Sequence, residues 1–395
     1  MAKIVIQDAS YTNVAEVMPK VLQQFPVDWN GKRVLVKPNM LGHFNFDENS
    51  GSTTHPAVVH AVVKALRSRG AQVIVGDNPA LSGLQENERC ARRSGILEAS
   101  DGAYKNISDE VEEVRLDSRL MDRILISRDV LEADLVVNLP RFKTHIFTTI
   151  SGAVKNLFGI VLGGEKPKVH LKAPNNMAFS EALVDIYQIR PPEITIMDAI
   201  IGMEGNGPST SGKLRPIGKI LASDNAVSLD AVVCHMMGIS PGKVNYMKVA
   251  MDRNLGETDP SRMDLIGKLE VLPRFKLPIG FIANSRFGMV VNKWLTGIWV
   301  QNKVKVNVKA CKRCYNCVKV CPPKAMHVPQ KKDFPRVDED LCILCYCCVE
   351  ICPECALEVK GFSSWLDRWR GQDKEPKRPH AEAGTEEHRH LPPEA

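Results

Sequence analysis

The sequence predicts an α/β fold, a mostly parallel sheet flanked by helices, followed by a small cysteine-dense domain. Three observations carry this expectation. Over residues 1–270, short β-rich apolar runs alternate with amphipathic, helix-like segments. Continuous apolar runs separated by helices mark parallel strands buried on both faces. Finally, ten of the twelve cysteines fall between Cys311 and Cys355, far from the alternating region.

The elements follow in order. "MAKIVIQDAS" reads as a strand and not as a cleaved leader, because it lacks an apolar region and a small-residue cleavage site. "KRVLVK" (32–37) is a second strand. The segment 54–70, "THPAVVHAVVKALRSRG", predicts a helix with Thr54 as N-cap, Pro56 in the first turn and Gly70 as the stop. Strands are expected at "AQVIVGD" (71–77), "ADLVVN" (133–138), "EITIMDA" (193–199) and "GKILASD" (218–224). The helix "SEALVDIYQIR" (180–190) ends at Pro191. These elements predict an α/β domain over 1–257. A Pro-punctuated linker or docking segment follows over 258–302, then the cysteine domain over 303–362 and a disordered tail over 363–395. The tail is polar and Pro-rich, so its His380, His388 and His390 are read as solvated.

Composition narrows the function. Hydrophobic content of 44% and charge of 25% suit a soluble globular protein. A net charge of +6, spread along the chain, favours small acidic ligands and argues against nucleic acid as a partner. No stretch is long and apolar enough for a transmembrane helix. The segment 279–300 comes nearest, but Asn284, Arg286, Asn292 and Lys293 interrupt it. It is read as an amphipathic connector and as the one candidate for peripheral membrane or partner contact. A cytoplasmic, reducing compartment is expected, where clustered thiols serve metals rather than disulfides.

The cysteines form two runs. The first is Cys311, Cys314, Cys317 and Cys321 before Pro322; the second is Cys342, Cys345, Cys348 and Cys352 before Pro353. This doubled spacing resembles the two-cluster bacterial ferredoxin module, in which three close thiolates hold one cubane and the fourth reaches to the other. The resemblance implies a small α+β ferredoxin-like iron–sulfur domain. It assigns Cys311, Cys314, Cys317 and Cys352 to one [4Fe-4S] cluster, and Cys321, Cys342, Cys345 and Cys348 to a second. A pair of zinc sites is the alternative, though zinc sites usually space two CxxC pairs further apart. Cys347 and Cys355 fall outside the pattern.

Fully thiolate-ligated clusters carry single electrons, so the other end of the relay is sought in the α/β domain. In open α/β sheets ligands bind beyond the carboxyl ends of the strands. Those ends carry Lys37 and Asn39; Asp77; Asn138, Lys143 and His145; and Asp198, Glu204 and Asn206. Turns and caps account for many of the Asn and Asp positions, but they require neither the lysines nor His145. Asp224 and Asp230 are weaker candidates, since either could cap the helix "AVSLDAVVCHMM". The stretch 151–170 sets Lys155 and Asn156 among apolar residues, then Lys166, Lys168 and His170 after a Gly-Gly break. "GMEGNGPSTSGK" (202–213) is Gly-rich but matches neither the P-loop nor GxGxxG. No flavin or nicotinamide fingerprint is evident.

The motifs "VLVKPNM", "GDNP", "VVNLPRFKTH", "SGAVKNLFG" and "DAIIGMEGNGP" together resemble the domain of unknown function 362 family. Members of that family often carry a C-terminal two-cluster ferredoxin module. The expectation is an iron–sulfur oxidoreductase that draws electrons from a redox partner protein and acts on a small anionic substrate. Lys37, Asn39, Asp77, Asn138, Lys143, Asn156, Asp198, Glu204 and Asn206 would bind substrate. His145, Lys155 and His170 would be catalytic, with an imidazole near neutrality as proton donor. Asp198 and Glu204 are candidates for a divalent metal in the cleft. The alternative is a non-enzymatic electron carrier or assembly factor that docks on a partner.

Overall fold

The structure, a computed structural model, describes residues 1–41, 51–79, 84–173, 175–208, 212–278, 281, 303–352, 354 and 356–360. In chain order the α/β region contains β1 (Lys3–Asp8), α1 (Val14–Gln23), β2 (Arg33–Lys37), α2 (Pro56–Arg67) and β3 (Gln72–Val75). Next come α3 (Leu84–Arg93), α4 (Ile96–Ala99), β4 (Val111–Arg115), β5 (Arg123–Ser127), α5 (Arg128–Glu132) and β6 (Leu135–Asn138). They are followed by β7 (Arg141–His145), β8 (Thr149–Ile150), α6 (Ala153–Asn156), α7 (Lys166–Lys172) and α8 (Asn176–Ile189). The region closes with β9 (Ile194–Gly205), β10 (Gly212–Ser223), α9 (Ala226–Met236), α10 (Asn245–Asp252) and β11 (Asp264–Ile266).

The central sheet runs β11-β1-β10-β9-β6-β2-β3, with β7 beside the far half of β9 and β8 on β7. Most pairings are parallel: β2 with β3 and β6, β9 with β6 and β7, and β1 with β11. Helices cover both faces. Val34 and Val36 of β2 pack into the core under α1 and α2, while Leu35 between them joins the core under α8 and α9. That alternation is the period-two geometry of a strand buried on both sides.

Three expectations are corrected here. The run 218–224 was expected as a further parallel strand, but β10 is antiparallel to both β9 and β1. Only six residues separate the end of β9 from the start of β10, too few for the long crossover that a parallel return needs. Much of the Gly-rich stretch 202–213 therefore belongs to strands. Helix α2 is capped by His55, whose side chain accepts from the Ala57 N–H. Thr54 instead donates from Oγ1 to the Leu139 carbonyl. The expected boundary at 257 also shifts, because β11 pairs with β1 and Leu269, Leu272, Phe275 and Leu277 pack on the α/β core. The connector 279–300 and the tail 363–395 lie outside the described residues, apart from Phe281.

The cysteine region is built as two similar halves. β12 (Lys303–Val306) leads into the first run, which carries α11 (Asn316–Val320), and then come β13 (Met326–His327) and β14 (Arg336–Val337). The second run carries α12 (Cys347–Ile351) and ends in β15 (Leu357–Lys360). β12 pairs with β15, and β13 with β14. Tyr315 and Tyr346 precede the two short helices in the same left-handed conformation, at φ 59° and 62°. Arg313 and Leu344 repeat another positive φ, at 56° and 52°. This small domain packs on the α/β domain through Ile146, which joins a cluster with Val304, Cys317, Met326, Tyr346, Val349 and Leu357.

Asp198 marks where the sheet is pinned. Its carboxylate is fully buried and accepts from Arg141 Nη1 (2.5 Å), the His55 N–H (3.0 Å), the Ile200 N–H (3.2 Å) and the Tyr11 hydroxyl (3.3 Å). Removing one partner of such a pair strands a buried charge. Asp198→Ala is therefore expected to lower stability by about 3–5 kcal/mol, read as a drop in urea midpoint at unchanged slope. A loss below about 1 kcal/mol would show that the pair is not a structural anchor.

Candidate functional site

Because β2, β3 and β6 are parallel neighbours, their carboxyl ends converge. The first pair to meet there is Lys37 Nζ and Asp77 Oδ1, 2.6 Å apart with both side chains buried. Asp77 Oδ2 accepts from the Met40 N–H at 2.9 Å, and Lys37 also donates to the Pro38 carbonyl. Gly159 covers this pair closely.

A second network runs beside it through three amides. Lys143 Nζ donates to Asn39 Oδ1 (2.6 Å), Asn39 Nδ2 to Asn156 Oδ1 (2.9 Å), Asn156 Nδ2 to Asn138 Oδ1 (2.8 Å), and Asn138 Nδ2 to the Ala153 carbonyl (3.0 Å). Every donor and acceptor points one way, so each bond polarises the next. The short helix α6 that carries Lys155 and Asn156 is held from below by Asp230. That carboxylate accepts from the Ala153 and Val154 N–H groups and from the Tyr246 hydroxyl. Asp230 therefore caps α6, while Asn225 caps its own helix α9 and Asp224 accepts from the Lys3 N–H.

Above these networks lies a cavity of about 90 Å³. The α/β domain lines it with Asn39, Asp77, Asn78, His145, Lys155, Asn156, Lys166 and His170, and with the rings of Phe147, Phe158 and Phe179. The cysteine domain supplies Val320, Cys347, Glu350 and Ile351. The cavity is thus closed by two domains far apart in sequence.

Its electrostatics are set by burial. Burial lowers the pKa of Lys155, although Glu350 and Cys347 pull it back up. The Lys155 ammonium donates no hydrogen bond among the described residues and faces the cavity. Burial pushes Lys166 down to about 7; its Nζ donates to the carbonyls of Asn78 and Pro79 and stands 5.6 Å from the Phe158 ring centre. Burial, reinforced by the nearby Lys155 and Arg141 charges, drives Lys143 well below its ordinary value.

His145 Nδ1 accepts from the Phe147 and Thr148 N–H groups, which places its proton on Nε2. That nitrogen lies 3.1 Å from Glu350 Oε1, though off the line of a well-directed hydrogen bond. Burial opposes charge on Glu350, but His145, Lys155 and His170 around it outweigh burial and hold its pKa at about 2. Burial lowers both His145 and His170 to about 4. Both rings are neutral at pH 7, so the expectation of an imidazole near neutrality does not hold. His170 stacks on Phe179, with ring centres 4.3 Å apart.

The expected residues therefore divide into three groups. Asn39, Asp77, His145, Lys155, Asn156 and His170 line the cavity, while Lys37, Asn138 and Lys143 sit in the networks that support it. Asp198, Glu204 and Asn206 lie outside the lining. Both Asp198 oxygens are already engaged, and Glu204 accepts from the Lys276 N–H. Committed to different partners, Asp198 and Glu204 are not among the grouped potential metal ligands of the described residues, so the structure does not bring them together on a metal as expected. The sequence reading missed Glu350 and Cys347 as members of this site. Aligning the two cysteine runs would have flagged both, since Glu350 stands where the first run has Lys319 and Cys347 where it has Asn316.

The sulfurs of the cysteine domain sort across the two runs. Cys311, Cys314, Cys317 and Cys352 line one small cavity. Burial pushes the Cys317 thiol up to about 12, with further raising by Cys352, Cys314 and Cys311. Burial also raises Cys348, with further raising by Cys345, Cys321 and Cys342 and, last, by Cys317 of the first group. Backbone N–H groups point at several sulfurs: Arg313 to Cys311, Met326 to Cys321 and Ala356 to Cys352. A ring nitrogen of His170 and the sulfurs of Cys345 and Cys347 lie within 4.8 Å of one another. Cys355 lies outside the described residues.

These features define an α/β protein whose strand-end cavity is closed by a cysteine-rich domain. The chain belongs to the family described as Domain of unknown function (DUF362), which matches residues 34–235. It is 33% identical over 263 residues to the Thylakoid-associated protein sll1697 of Synechocystis sp. (strain ATCC 27184 / PCC 6803 / Kazusa). That match covers 63% of this chain and 77% of the relative. Among solved structures, the lactate racemase apoprotein from Thermoanaerobacterium thermosaccharolyticum aligns with a TM-score of 0.34 at 14% identity. The alignment spans 54% of each chain, and a likeness this slight carries no argument about chemistry. No helix among the described residues is long and apolar enough to cross a membrane.

Gly159 gives this site a sharp mutational test. A β-carbon there would overlap Asp77 Oδ1 and stand 2.6 Å from Lys37 Nζ. Gly159→Ala is expected to cost about 1–3 kcal/mol through overpacking, measured by chemical denaturation. An unchanged midpoint would mean that the ion pair is not confined as described.

Proposed function

We propose that this protein is an iron–sulfur oxidoreductase in which two [4Fe-4S] clusters exchange single electrons with a small anionic substrate bound in the strand-end cavity. Cys311, Cys314, Cys317 and Cys352 would hold one cluster, and Cys321, Cys342, Cys345 and Cys348 the other. The chain's own chemistry suits that load. Buried thiols crowded in fours resist ionising together, and a strongly positive centre among them relieves the repulsion. Left-handed residues inside each run turn backbone N–H groups toward the sulfurs.

The observation that carries the reading is the shared cavity. Cys347 and Glu350 line the same space as Lys155, and Cys345 lies within 4.8 Å of the His170 ring. The first run is the more open one, since Cys314 is exposed. We assign it to the redox partner protein and the second run to the cavity. In a reducing compartment this arrangement delivers electrons from the surface to a buried substrate.

Each cavity residue then has a task. Lys155, which donates no hydrogen bond among the described residues, binds the anionic group. Asn39 and Asn156 orient it, held by the amide chain from Lys143 to Asn138. Lys37 and Asp77 fix the adjoining strand ends. His145, its tautomer locked by two backbone N–H groups, stands against Glu350, and His170 forms the wall beside Cys345. Lys166, brought to about 7 by burial, replaces the imidazoles as the group able to give a proton near neutral pH.

Anaerobically prepared protein, reduced and mixed with a metabolite extract, should consume one compound as it is reoxidised. Lys155→Ala is expected to slow that reoxidation by about 10²-fold while leaving the cluster absorbance intact. Reoxidation at the wild-type rate in the variant would overturn the role of Lys155. A protein that takes up no iron would sink the cluster assignment itself. The pH dependence has a defined sign: Lys166 is protonated below about 7, so the rate should fall as pH rises through that value. Lys166→Met should remove this limb, and a limb that persists in the variant would assign the proton to another group.

A further inference from the structure

One cysteine in the second run has no place in the ferredoxin spacing. Cys347 lies next to the expected ligand Cys348, faces the cavity and corresponds to Asn316 in the first run. Opposite it stands His170, 8% exposed, whose Nδ1 has no hydrogen-bond partner among the described residues. A buried polar nitrogen left unpaired costs about 1–3 kcal/mol, and a nitrogen of this ring lies within 4.8 Å of the Cys345 and Cys347 sulfurs.

We propose that Cys347 and His170, together with the sulfur of Cys345, form a mononuclear site for a thiophilic divalent cation of the zinc class, with its fourth position open to the cavity. The proposal rests on the cluster reading above, because Cys345 would then bridge the cation and the second cluster. A thiolate sulfur keeps lone pairs after one metal bond and can make a second. The three donor atoms lie within 4.8 Å of one another. Zinc–sulfur bonds of about 2.3 Å and zinc–nitrogen bonds of about 2.0 Å set tetrahedral donor separations near 3.7 Å. Closing the site therefore asks for a contraction of about 1 Å, within reach of side-chain rotation. Two sulfurs and one imidazole suit zinc, nickel or ferrous iron and disfavour magnesium and calcium.

The site would supply what fully thiolate-ligated cubanes lack, an open coordination position. Lys155 and Glu350 line the same cavity, so an anionic ligand on the cation would also meet an ammonium. The divalent metal expected from Asp198 and Glu204 would thus be held by a different donor set.

The test uses cluster-replete, full-length protein equilibrated anaerobically with zinc ions, with zinc, iron and sulfide measured per chain. One zinc beyond the iron complement is expected, with two sulfurs and one nitrogen in its X-ray absorption spectrum. Cys347→Ser and His170→Gln should each abolish that zinc while iron, sulfide and the reduced-cluster electron paramagnetic resonance signal persist. No stoichiometric zinc in the wild type overturns the site, as does zinc retained in both variants, which would then reside elsewhere, for example on His380, His388 and His390. Zinc bound through Cys347 in protein that holds no iron would uphold the site while overturning the cluster reading.

Discussion

The interaction on which the rest of the structure depends is the matching of buried positive charge at the strand ends. Lys37, Lys143 and Lys166 are buried at or near the strand ends, and the half-buried Lys155 lines the cavity beside them. Each buried ammonium is costly unless it is paired, hydrogen-bonded or neutralised. Lys37 is paired with Asp77, Lys166 is bound by two carbonyls, and Lys143 is pushed toward neutrality while it donates to Asn39 and Ser52. Only Lys155 is left facing open space, and the carboxylate that draws its pKa upward is Glu350, from the other domain.

That division of charge couples the two domains. Glu350 is held ionised by groups of the α/β domain, so the cysteine domain places a charge where its partner can stabilise it. Apolar packing supplies the rest of the contact: Ile146 lies among Val304, Met326 and Val349, and Phe147 stands edge-on to Tyr346 at 6.2 Å. A cysteine domain detached from this face would leave Glu350 without its cations and the cavity open to water.

The amide chain from Lys143 to Ala153 explains why asparagine recurs at these strand ends. A side-chain amide donates on one side and accepts on the other, so successive amides can pass polarisation along without introducing further charge. A carboxylate at any of these positions could accept but not donate, and the chain would break. Turn propensity, which the same residues satisfy in other settings, does not require this order.

Much of the architecture was legible in the sequence. Apolar runs at 32–37, 71–77 and 133–138 identified the parallel strands, because burial on both faces demands continuous hydrophobicity. The doubled cysteine spacing singled out the C-terminal domain, and the lysines and His145 pointed to the strand ends. What the sequence by itself determined was therefore local: periodicity, spacing and the chemical types available at each strand end. Tertiary structure alone decided that β10 runs antiparallel, that Asp198 is consumed in anchoring Arg141, and that Lys166 rather than an imidazole sits near neutrality. It also decided that Cys347 and Glu350 reach a cavity formed by residues about 200 positions earlier in the chain. The physical reason is that pairing and desolvation depend on which groups are brought together. Linear order carries no direct record of contacts between a strand end at Lys37, a helix at Lys155 and a cysteine run at Cys342.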